Sequence, residues 1–205
     1  MQPAFSAATA RIVEEADAAF LAHGYAQPTM AELAELCGVG RRALYYHFHD
    51  KEELFRAVMR HFNAKYQAEA DIYGTRALER GDPPAEIIGG WLDTRFGETR
   101  RKLLASRFGG ELNTVGFRIG SDIMIEVSYE TNRKLGDLVA TLAGKGHLKL
   151  KPGISADVAA QMLADGARGV NQQRPPIPDA ELGARYRAIV TAILFGCAVD
   201  HDHQG

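Results

Sequence analysis

Apolar residues recur every three or four positions along most of the chain, and strict alternation of apolar and polar residues is scarce. Residues 12–20 place their apolar side chains on one helical face, and residues 54–66 carry a long apolar stripe. Similar patterns cover residues 85–101 and 123–145. The pattern predicts an all-α protein with about nine helices.

A short segment near the N-terminus has the pattern of two crossing helices joined by a tight turn. Leu33, Leu36, Val39 and Leu44 are spaced to close a small core between the two helices. Gly38 suits the turn, because glycine adopts a positive φ at little steric cost. This pattern is typical of a helix-turn-helix, which lays its second helix in the major groove of DNA.

Two stretches have the sequence of a capping box, in which the N-cap side chain and a carboxylate three residues later each bond the other's backbone amide. They are residues 29–32, Thr-Met-Ala-Glu, and residues 50–53, Asp-Lys-Glu-Glu. The second predicts that a longer helix begins at Lys51. We expect that helix to end near Asp71, and residues 74–84, which end in Asp-Pro-Pro, to form a loop.

The last two predicted helices are suited to packing against a second copy of the chain. Ser155 is expected to cap a helix that runs to about residue 170, and Asp179 to cap the final helix. A two-fold four-helix bundle would bury the apolar faces of both. The residues predicted for this homodimer interface are Met162, Val170, Tyr186, Ile189, Ile193 and Cys197.

The overall charge does not indicate a nucleic-acid partner, but one local surface does. The 205 residues carry a formal net charge of −2, and 24% of them are charged. DNA contact would therefore need a local patch. No carboxylate lies between residues 35 and 50. The exposed side of the second short helix carries Arg41, Arg42, Tyr45, Tyr46 and His47.

Arg41 and Arg42 lie in the first turn of that helix, where a cation opposes the helix dipole. The opposition costs about 0.3–1 kcal/mol for each exposed cation. Two such residues in succession favour a negatively charged partner, and the alternative is a solvated arginine pair.

Cysteine content and apolar runs suggest where the chain resides. Cys37 and Cys197 lie far apart without metal-ligand spacing, so a reduced cytoplasmic setting is expected. The N-terminus lacks the pattern of a signal peptide. The longest apolar run, residues 189–199, is too short to span a bilayer, which needs roughly 18–20 residues.

Other chemistries fit the sequence less well. Residues 38–43 match the loose dinucleotide pattern G-x-G-x-x-A, but a capped helix precedes them rather than a strand. The pairs His47 and His49, and His201 and His203, lack further metal ligands at useful spacing. The sequence has no P-loop, G-x-S-x-G or H-E-x-x-H motif. We therefore predict no enzyme activity, metal or cofactor.

The N-terminal motifs resemble those of the TetR family of bacterial regulators. The resemblance is detailed between about residues 11 and 55. It is carried by Ala16, Phe20, Gly24-Tyr25, Thr29, Leu33-Ala34, Gly38-Val39, Leu44-Tyr45-Tyr46-His47-Phe48 and Lys51-Glu52-Glu53-Leu54.

The resemblance implies a homodimer that binds a palindromic DNA operator and releases it when a small molecule enters the C-terminal domain. It implies a helix-turn-helix domain in residues 1–50 and an effector-binding and dimerisation domain in residues 51–205, linked by the helix from Lys51. The positions at which family members contact DNA correspond to Thr29, Tyr45, Tyr46, His47 and Lys51. The alternative to a DNA contact for Tyr45 is a position in the protein core. The alternative for Lys51 is a side chain that contacts only solvent.

The second short helix departs from the family pattern at three positions. Gly40 stands where serine is usual, Arg42 where a small residue is usual, and Ala43 where threonine is usual. Two hydroxyls that often reach phosphates are therefore missing from the predicted DNA-binding set. Arg41 and Arg42 could replace those contacts or bind guanine edges in a bidentate manner.

The middle helices carry aromatic and soft side chains that could line an effector pocket. For each one taken singly, ordinary core packing is the alternative. As a set they favour an apolar or aromatic effector. The candidates are Trp91, Phe96, Phe108, Asn113, Phe117, Met124, Tyr129, Met162 and Asn171.

The sequence therefore predicts a ligand-responsive transcriptional regulator, most simply a repressor. The alternative is a small-molecule-binding protein of the same fold with weakened specific DNA binding. A helical enzyme is disfavoured, because no acid–base or metal cluster is apparent.

Overall fold

A computed structural model describes residues 5–196, and within that range it contains helices and no strands. A π-helical turn, Asp93–Gly97, joins α5 to α6 without a break, so these residues form nine helical rods. The predicted all-α fold is confirmed. The helices are α1 (Ala7–His23), α2 (Met30–Leu36), α3 (Arg41–His47), α4 (Lys51–Arg80), α5 (Pro84–Leu92), α6 (Glu98–Ala105), α7 (Gly109–Ile119), α8 (Ser121–Gly144), α9 (Ala156–Gln172) and α10 (Asp179–Phe195).

The chain divides into two compact units. Unit 1 contains the residues up to 65 together with residues 100–127, and unit 2 contains residues 66–99 and those from 128 onward. Helices α1, α2 and α3 lie wholly in unit 1, whereas α4 and α8 contribute residues to both units. The functional boundary at residue 50 stays a prediction, because a division by compactness does not test it.

The core of unit 1 confirms part of the predicted helix-turn-helix packing. Leu33 and Leu44 are fully buried, and Val39 is half-buried against the same core. The inward prediction for Leu36 is wrong, because 43% of its surface is exposed. On a helix of 3.6 residues per turn, positions 33, 34 and 37 share one face, so the small side chains of Ala34 and Cys37 complete it.

Helix α4 is longer than predicted. It runs for 30 residues to Arg80, so the loop expected at residues 74–84 is reduced to residues 81–83. Gly74 lies inside the helix, where a Cβ atom would come within 3.1 Å of Trp91 Cδ1. This glycine therefore marks close packing rather than the end of the helix. Gly81, with φ of +76°, follows the last helical residue.

Unit 2 is built around α5, α9 and α10. One face of α5, which includes Ile87 and Trp91, is buried in its core. Alanines along α9 are buried as well, and their small side chains let the neighbouring helices of unit 2 approach closely. Ser155 caps α9 as predicted, its hydroxyl accepting from the Val158 amide. The cap of α10 differs from the prediction, because the N-cap residue is Pro178 and the chain is already helical at residue 179.

The two leucines of α2 provide a matched test of this packing. We expect Leu33→Ala to lower the free energy of unfolding by about 2–5 kcal/mol, because it leaves a cavity in the core of unit 1. Leu36→Ala removes the same atoms from an exposed position and should cost about 0.5 kcal/mol or less. Urea denaturation followed by circular dichroism measures both. Similar losses in the two variants would contradict the orientation of α2.

Candidate nucleic-acid interface

The start of α2 is fixed by the predicted capping box. Thr29 Oγ1 accepts from the Glu32 amide at 3.3 Å, and Glu32 Oε2 accepts from the Thr29 amide at 2.8 Å. The Thr29 hydroxyl also donates to Glu32 Oε2 at 2.8 Å. These hydrogen bonds, led by that from the Thr29 backbone amide, lower the pKa of Glu32. The Thr29 hydroxyl is therefore already engaged in fixing the helix.

The turn between α2 and α3 follows the conformation that the sequence predicts. Gly38 has φ of +66°, in the left-handed region that glycine enters without strain. The amide of Val39 donates to the Ala34 carbonyl at 3.0 Å, which closes the turn. Gly40 is the N-cap of α3 and has no side chain with which to cap it. The turn is thus held by backbone hydrogen bonds.

Helix α3 has a buried face and an exposed one. Leu44 is fully buried in the core of unit 1, and Phe48, directly after the helix, is buried too. Tyr45 is 53% exposed and Tyr46 is 84% exposed, so the alternative of a core position for Tyr45 is wrong. The remaining members of the exposed face are Arg41, Arg42 and Ala43.

The sides of this exposed face contain two polar contacts. Arg41 lies 3.7 Å from a carboxylate oxygen of Glu35, and both side chains are largely exposed. A surface pair of this kind contributes about 0–1 kcal/mol, so it does not prevent Arg41 from binding another anion. His47 is half-buried, with its Nδ1 atom 3.4 Å from Thr9 Oγ1. The outer face of α3 therefore presents two guanidinium groups and two phenol rings.

Lys51 makes contacts within unit 1. Its Nζ atom donates to the carbonyl oxygens of Ala26 at 3.2 Å and Pro28 at 3.0 Å. The same atom lies 4.8 Å from the centre of the Tyr25 ring, within the range of a cation–π contact. Lys51 thus ties the start of α4 to the loop between α1 and α2. A phosphate contact by Lys51 stays a prediction.

The second capping box, at the start of α4, closes differently from the first. The Glu53 amide donates to Asp50 Oδ1 at 2.7 Å, as predicted. The Glu53 carboxylate accepts from the amide of His49 at 2.6 Å. The expected hydrogen bond from the Asp50 amide is thus replaced by one from the amide of His49, one residue earlier in the chain.

Cys37 is buried beside the turn of the helix-turn-helix. Its Sγ atom lies 3.8 Å from the carbonyl oxygen of Ile12, and 5% of the residue is exposed. Burial raises the pKa of the Cys37 thiol to about 11. The thiol therefore acts as a small apolar group in the core. Cys197 lies outside the described residues.

The residues predicted to line an effector pocket are divided between the two units. Trp91 is buried, and its Nε1 atom donates to Asp71 Oδ1 at 3.3 Å. Asn171 Oδ1 accepts from the Tyr186 hydroxyl at 2.6 Å. Phe108, Asn113, Phe117 and Met124 belong to unit 1, and Trp91, Phe96, Tyr129, Met162 and Asn171 belong to unit 2.

A buried polar cluster in unit 2 was not among the predicted sites. Arg95, in the π-helical turn, is 3% exposed, and its Nε atom donates to Gln67 Oε1 and Thr131 Oγ1, each at 3.1 Å. Burial lowers the pKa of Arg95 to about 10. The sequence does contain one sign of this cluster, because Arg95 is a charged residue four positions after Trp91 on an otherwise apolar helical stripe. π-Helical turns often mark functional sites.

Two other classes of site can be assessed over residues 5–196. No helix in that range is long and apolar enough to cross a membrane. The same residues contain no group of three or more histidine, cysteine, aspartate or glutamate side chains arranged to hold a metal ion. The tail histidines at 201 and 203 lie outside the described residues.

Known proteins resemble the chain in two ways. The family model described as bacterial regulatory proteins, tetR family, matches residues 12–58. The transcriptional regulator TtgR of Pseudomonas putida is 48% identical over 50 residues, which are 24% of each protein. The chain thus aligns with about a quarter of the length of that curated relative.

Two solved structures share the fold over most of the chain. A TetR transcription regulator from Haloarcula marismortui matches with a TM-score of 0.68 and 18% identity, over 93% of this chain and 97% of its own. The TetR-family repressor FadR of Thermus thermophilus, solved with lauroyl-CoA, matches with a TM-score of 0.61 and 18% identity, over 96% and 98%. Residues 12–58 thus match the N-terminal domain of the TetR family. At these identities the structural likeness concerns the fold alone.

The raised pKa of Cys37 predicts a protected thiol. At pH 8 a thiol of pKa about 11 is roughly 0.1% ionised, against about a quarter for an unfolded cysteine. Iodoacetamide should therefore modify Cys37 about two hundredfold more slowly in the folded chain than in urea. Mass spectrometry of the Cys37 peptide separates it from Cys197.

The raised pKa of Cys37 also makes the free energy of unfolding depend on pH. Because the folded state holds the thiol proton more tightly, its contribution to the free energy of unfolding is complete below about pH 8 and is lost as the pH rises towards 11. Equal alkylation rates in the folded and unfolded chains would contradict the buried position of Cys37.

Proposed function

We propose that the chain is a ligand-responsive transcriptional repressor that uses α3 as its DNA recognition helix. The observation that carries the proposal is the exposed surface of α3, with two arginines and two tyrosines, on a short helix that Leu44 anchors in the core of unit 1. Cationic and aromatic side chains on an exposed short helix match what major-groove binding requires. The family membership of the N-terminal segment supports the same class of function.

Arg41 and Arg42 are the main DNA contacts in this proposal. Each can bind a phosphate, or the O6 and N7 atoms of guanine in a bidentate manner. Tyr45, Tyr46 and His47 flank them. Gly40 and Ala43 can offer only backbone and methyl contacts, and the Thr29 hydroxyl and Lys51 ammonium already have partners within the protein.

A homodimer is the second part of the proposal, because a palindromic operator requires two recognition helices. In such complexes the half-sites lie about 34–36 Å apart, one turn of DNA, or a multiple of that spacing. Met162 on α9 is 47% exposed, and Ile189 and Ile193 on α10 are half-buried. An unpartnered apolar surface of this kind favours association.

The other residues of the predicted interface are placed differently. Val170 and Tyr186 are buried in the core of unit 2. They would therefore pack beneath a dimer interface and would not contact the partner. Cys197 lies outside the described residues. The proposed contact surface is therefore centred on Met162, Ile189 and Ile193.

The third part of the proposal is release of DNA by a small molecule bound by residues 51–205. A ligand shifts DNA affinity only if it binds one conformation better than the other, and the coupling is reciprocal. The aromatic and methionine side chains favour an apolar or aromatic body. The buried guanidinium of Arg95 adds a group suited to a polar or anionic head. Lauroyl-CoA, the ligand in the Thermus FadR structure, combines both features and is a reasonable first probe.

An alternative function is favoured by two residues at the start of α3, its N-cap Gly40 and Ala43. Gly40 and Ala43 lack the hydroxyls usual in the family, so the chain could be a small-molecule-binding protein with weakened specific DNA recognition. Binding to the DNA upstream of the chain's own gene, compared with a scrambled duplex at two salt concentrations, separates the two functions. Sequence-specific binding that persists at moderate salt supports the repressor.

We predict that Arg41→Ala and Arg42→Ala each weaken binding to the upstream DNA. A lost guanine contact should cost about 1–3 kcal/mol, and a lost phosphate contact should reduce the salt dependence by about one counterion. Fluorescence anisotropy at several salt concentrations measures both effects. Arg133→Ala is the matched control, because it removes an exposed arginine of α8 that pairs with Glu130 and Asp137. Unchanged binding in both α3 variants would overturn the proposed surface.

We predict that Met162→Glu dissociates the dimer, because it would bury a charge at the centre of the apolar contact. Ala140→Glu adds the same charge at an exposed position of α8 and should leave the dimer intact. Sedimentation velocity of the wild type and both variants at matched concentrations measures the change. A wild-type monomer, or a Met162→Glu variant that remains a dimer, would contradict the proposed interface.

A further inference from the structure

The loop between α1 and α2, residues 24–29, is held by two side chains from other elements. Lys51 binds the carbonyls of Ala26 and Pro28. Glu111, in the first turn of α7, binds the amides. Its Oε1 atom accepts from Tyr25 N at 3.0 Å and from Ala26 N at 2.8 Å. Lys51 thus binds two backbone carbonyl groups of the loop, and Glu111 binds two of its backbone amides.

The residue before these two amides is shaped to admit the carboxylate. Gly24 has φ of +79°, a conformation that side chains rarely adopt. A Cβ atom at Gly24 would come within 2.6 Å of Glu111 Oε2 and 2.9 Å of Phe108 Cδ1. Gly24 therefore both ends α1 and leaves space for α7 to approach the loop.

The contact with Glu111 is the last of three polar contacts along one side of α1. Lys102 Nζ lies 2.5 Å from Asp17 Oδ2, and Ser106 Oγ donates to the Leu21 carbonyl at 2.6 Å. Asp17 and Leu21 lie about one turn apart near the end of α1, and Tyr25 directly follows Gly24, which ends the helix. The segment from α6 to α7 therefore follows α1 down to the loop that leads into α2.

Burial shifts the pKa values of both members of the first contact, the pair of Asp17 and Lys102. It raises the pKa of Asp17 and lowers the pKa of Lys102, and in both cases it outweighs the stabilising effect of the pair. Lys102 also lies 3.2 Å from the centre of the Phe62 ring. Asp17 and Lys102 thus form a tight structural contact, whereas Glu111 is the member of the series that reaches the helix-turn-helix loop itself.

We infer that Glu111 is a positioning residue for operator recognition, an inference that rests on the proposed function. By fixing the amides of Tyr25 and Ala26, it sets the path of the chain into the Thr29 cap of α2 and hence the orientation of α3. Glu111 lies outside residues 12–58, the segment that the family model matches. A movement of α7 that withdrew this carboxylate would free the loop, so recognition depends on an element outside the helix-turn-helix.

Three variants separate positioning from general stability. Glu111→Ala removes the acceptor, Glu111→Gln keeps a neutral oxygen that can accept from the same amides, and Lys102→Gln removes the ion pair with Asp17 of α1 at 2.5 Å, a contact that does not reach the loop. Each is titrated with the upstream DNA and with a scrambled duplex, well below its melting temperature. Hydrogen exchange reports directly on the amides of Tyr25 and Ala26.

We expect Glu111→Ala to reduce the ratio of specific to non-specific affinity by about five- to tenfold and to speed exchange at both amides. Glu111→Gln should restore most of the ratio, and Lys102→Gln should lower the melting temperature without changing the ratio. An unchanged ratio in Glu111→Ala, or an equal fall in Lys102→Gln, overturns this inference while wild-type specificity upholds the proposed function. Absence of specific binding by the wild type overturns both.

Discussion

Phe20, Tyr25 and Phe55 form an aromatic cluster that joins α1, the α1–α2 loop and α4. The Phe55 ring meets both others edge-on, with centroids 5.1 Å apart in each case. Such pairs contribute about 0.5–1.5 kcal/mol beyond the area they bury. The cluster fixes the start of α4 against the end of α1, and it brings Lys51 over Tyr25. The α2–α3 pair completes the core of unit 1, and this leaves the outer face of α3 exposed.

Local features of this arrangement could be predicted from the sequence because their causes are local. The capping box at Thr29 requires only two side chains three residues apart, and it forms as expected. Gly38 takes the positive φ that its place between two short helices demands. The all-α fold follows from apolar spacing, and the exposure of the arginines and tyrosines of α3 follows from a seven-residue helix in which only Leu44 is a buried apolar residue.

Features that depend on distant parts of the chain were predicted poorly. Residues 74–84 are predicted to form a loop, but Gly74 lies inside α4, where it lets Trp91 approach the helix. Leu36 was placed in the core because the apolar pattern cannot distinguish it from the smaller Cys37, which occupies the buried face. Glu111 contacts residues 85 or more positions earlier, so no short motif could reveal its role. The proposed pocket and dimer residues depend on the same kind of distant contact.

The account rests on entry of α3 into the major groove of DNA. Dimethyl sulfate methylates guanine N7, which lies in that groove, so methylation of the upstream DNA with and without the protein tests the claim most directly. The account predicts protected guanines in two symmetric clusters separated by one or more helical turns. Full reactivity of every guanine N7 in DNA that is saturated with protein would contradict it.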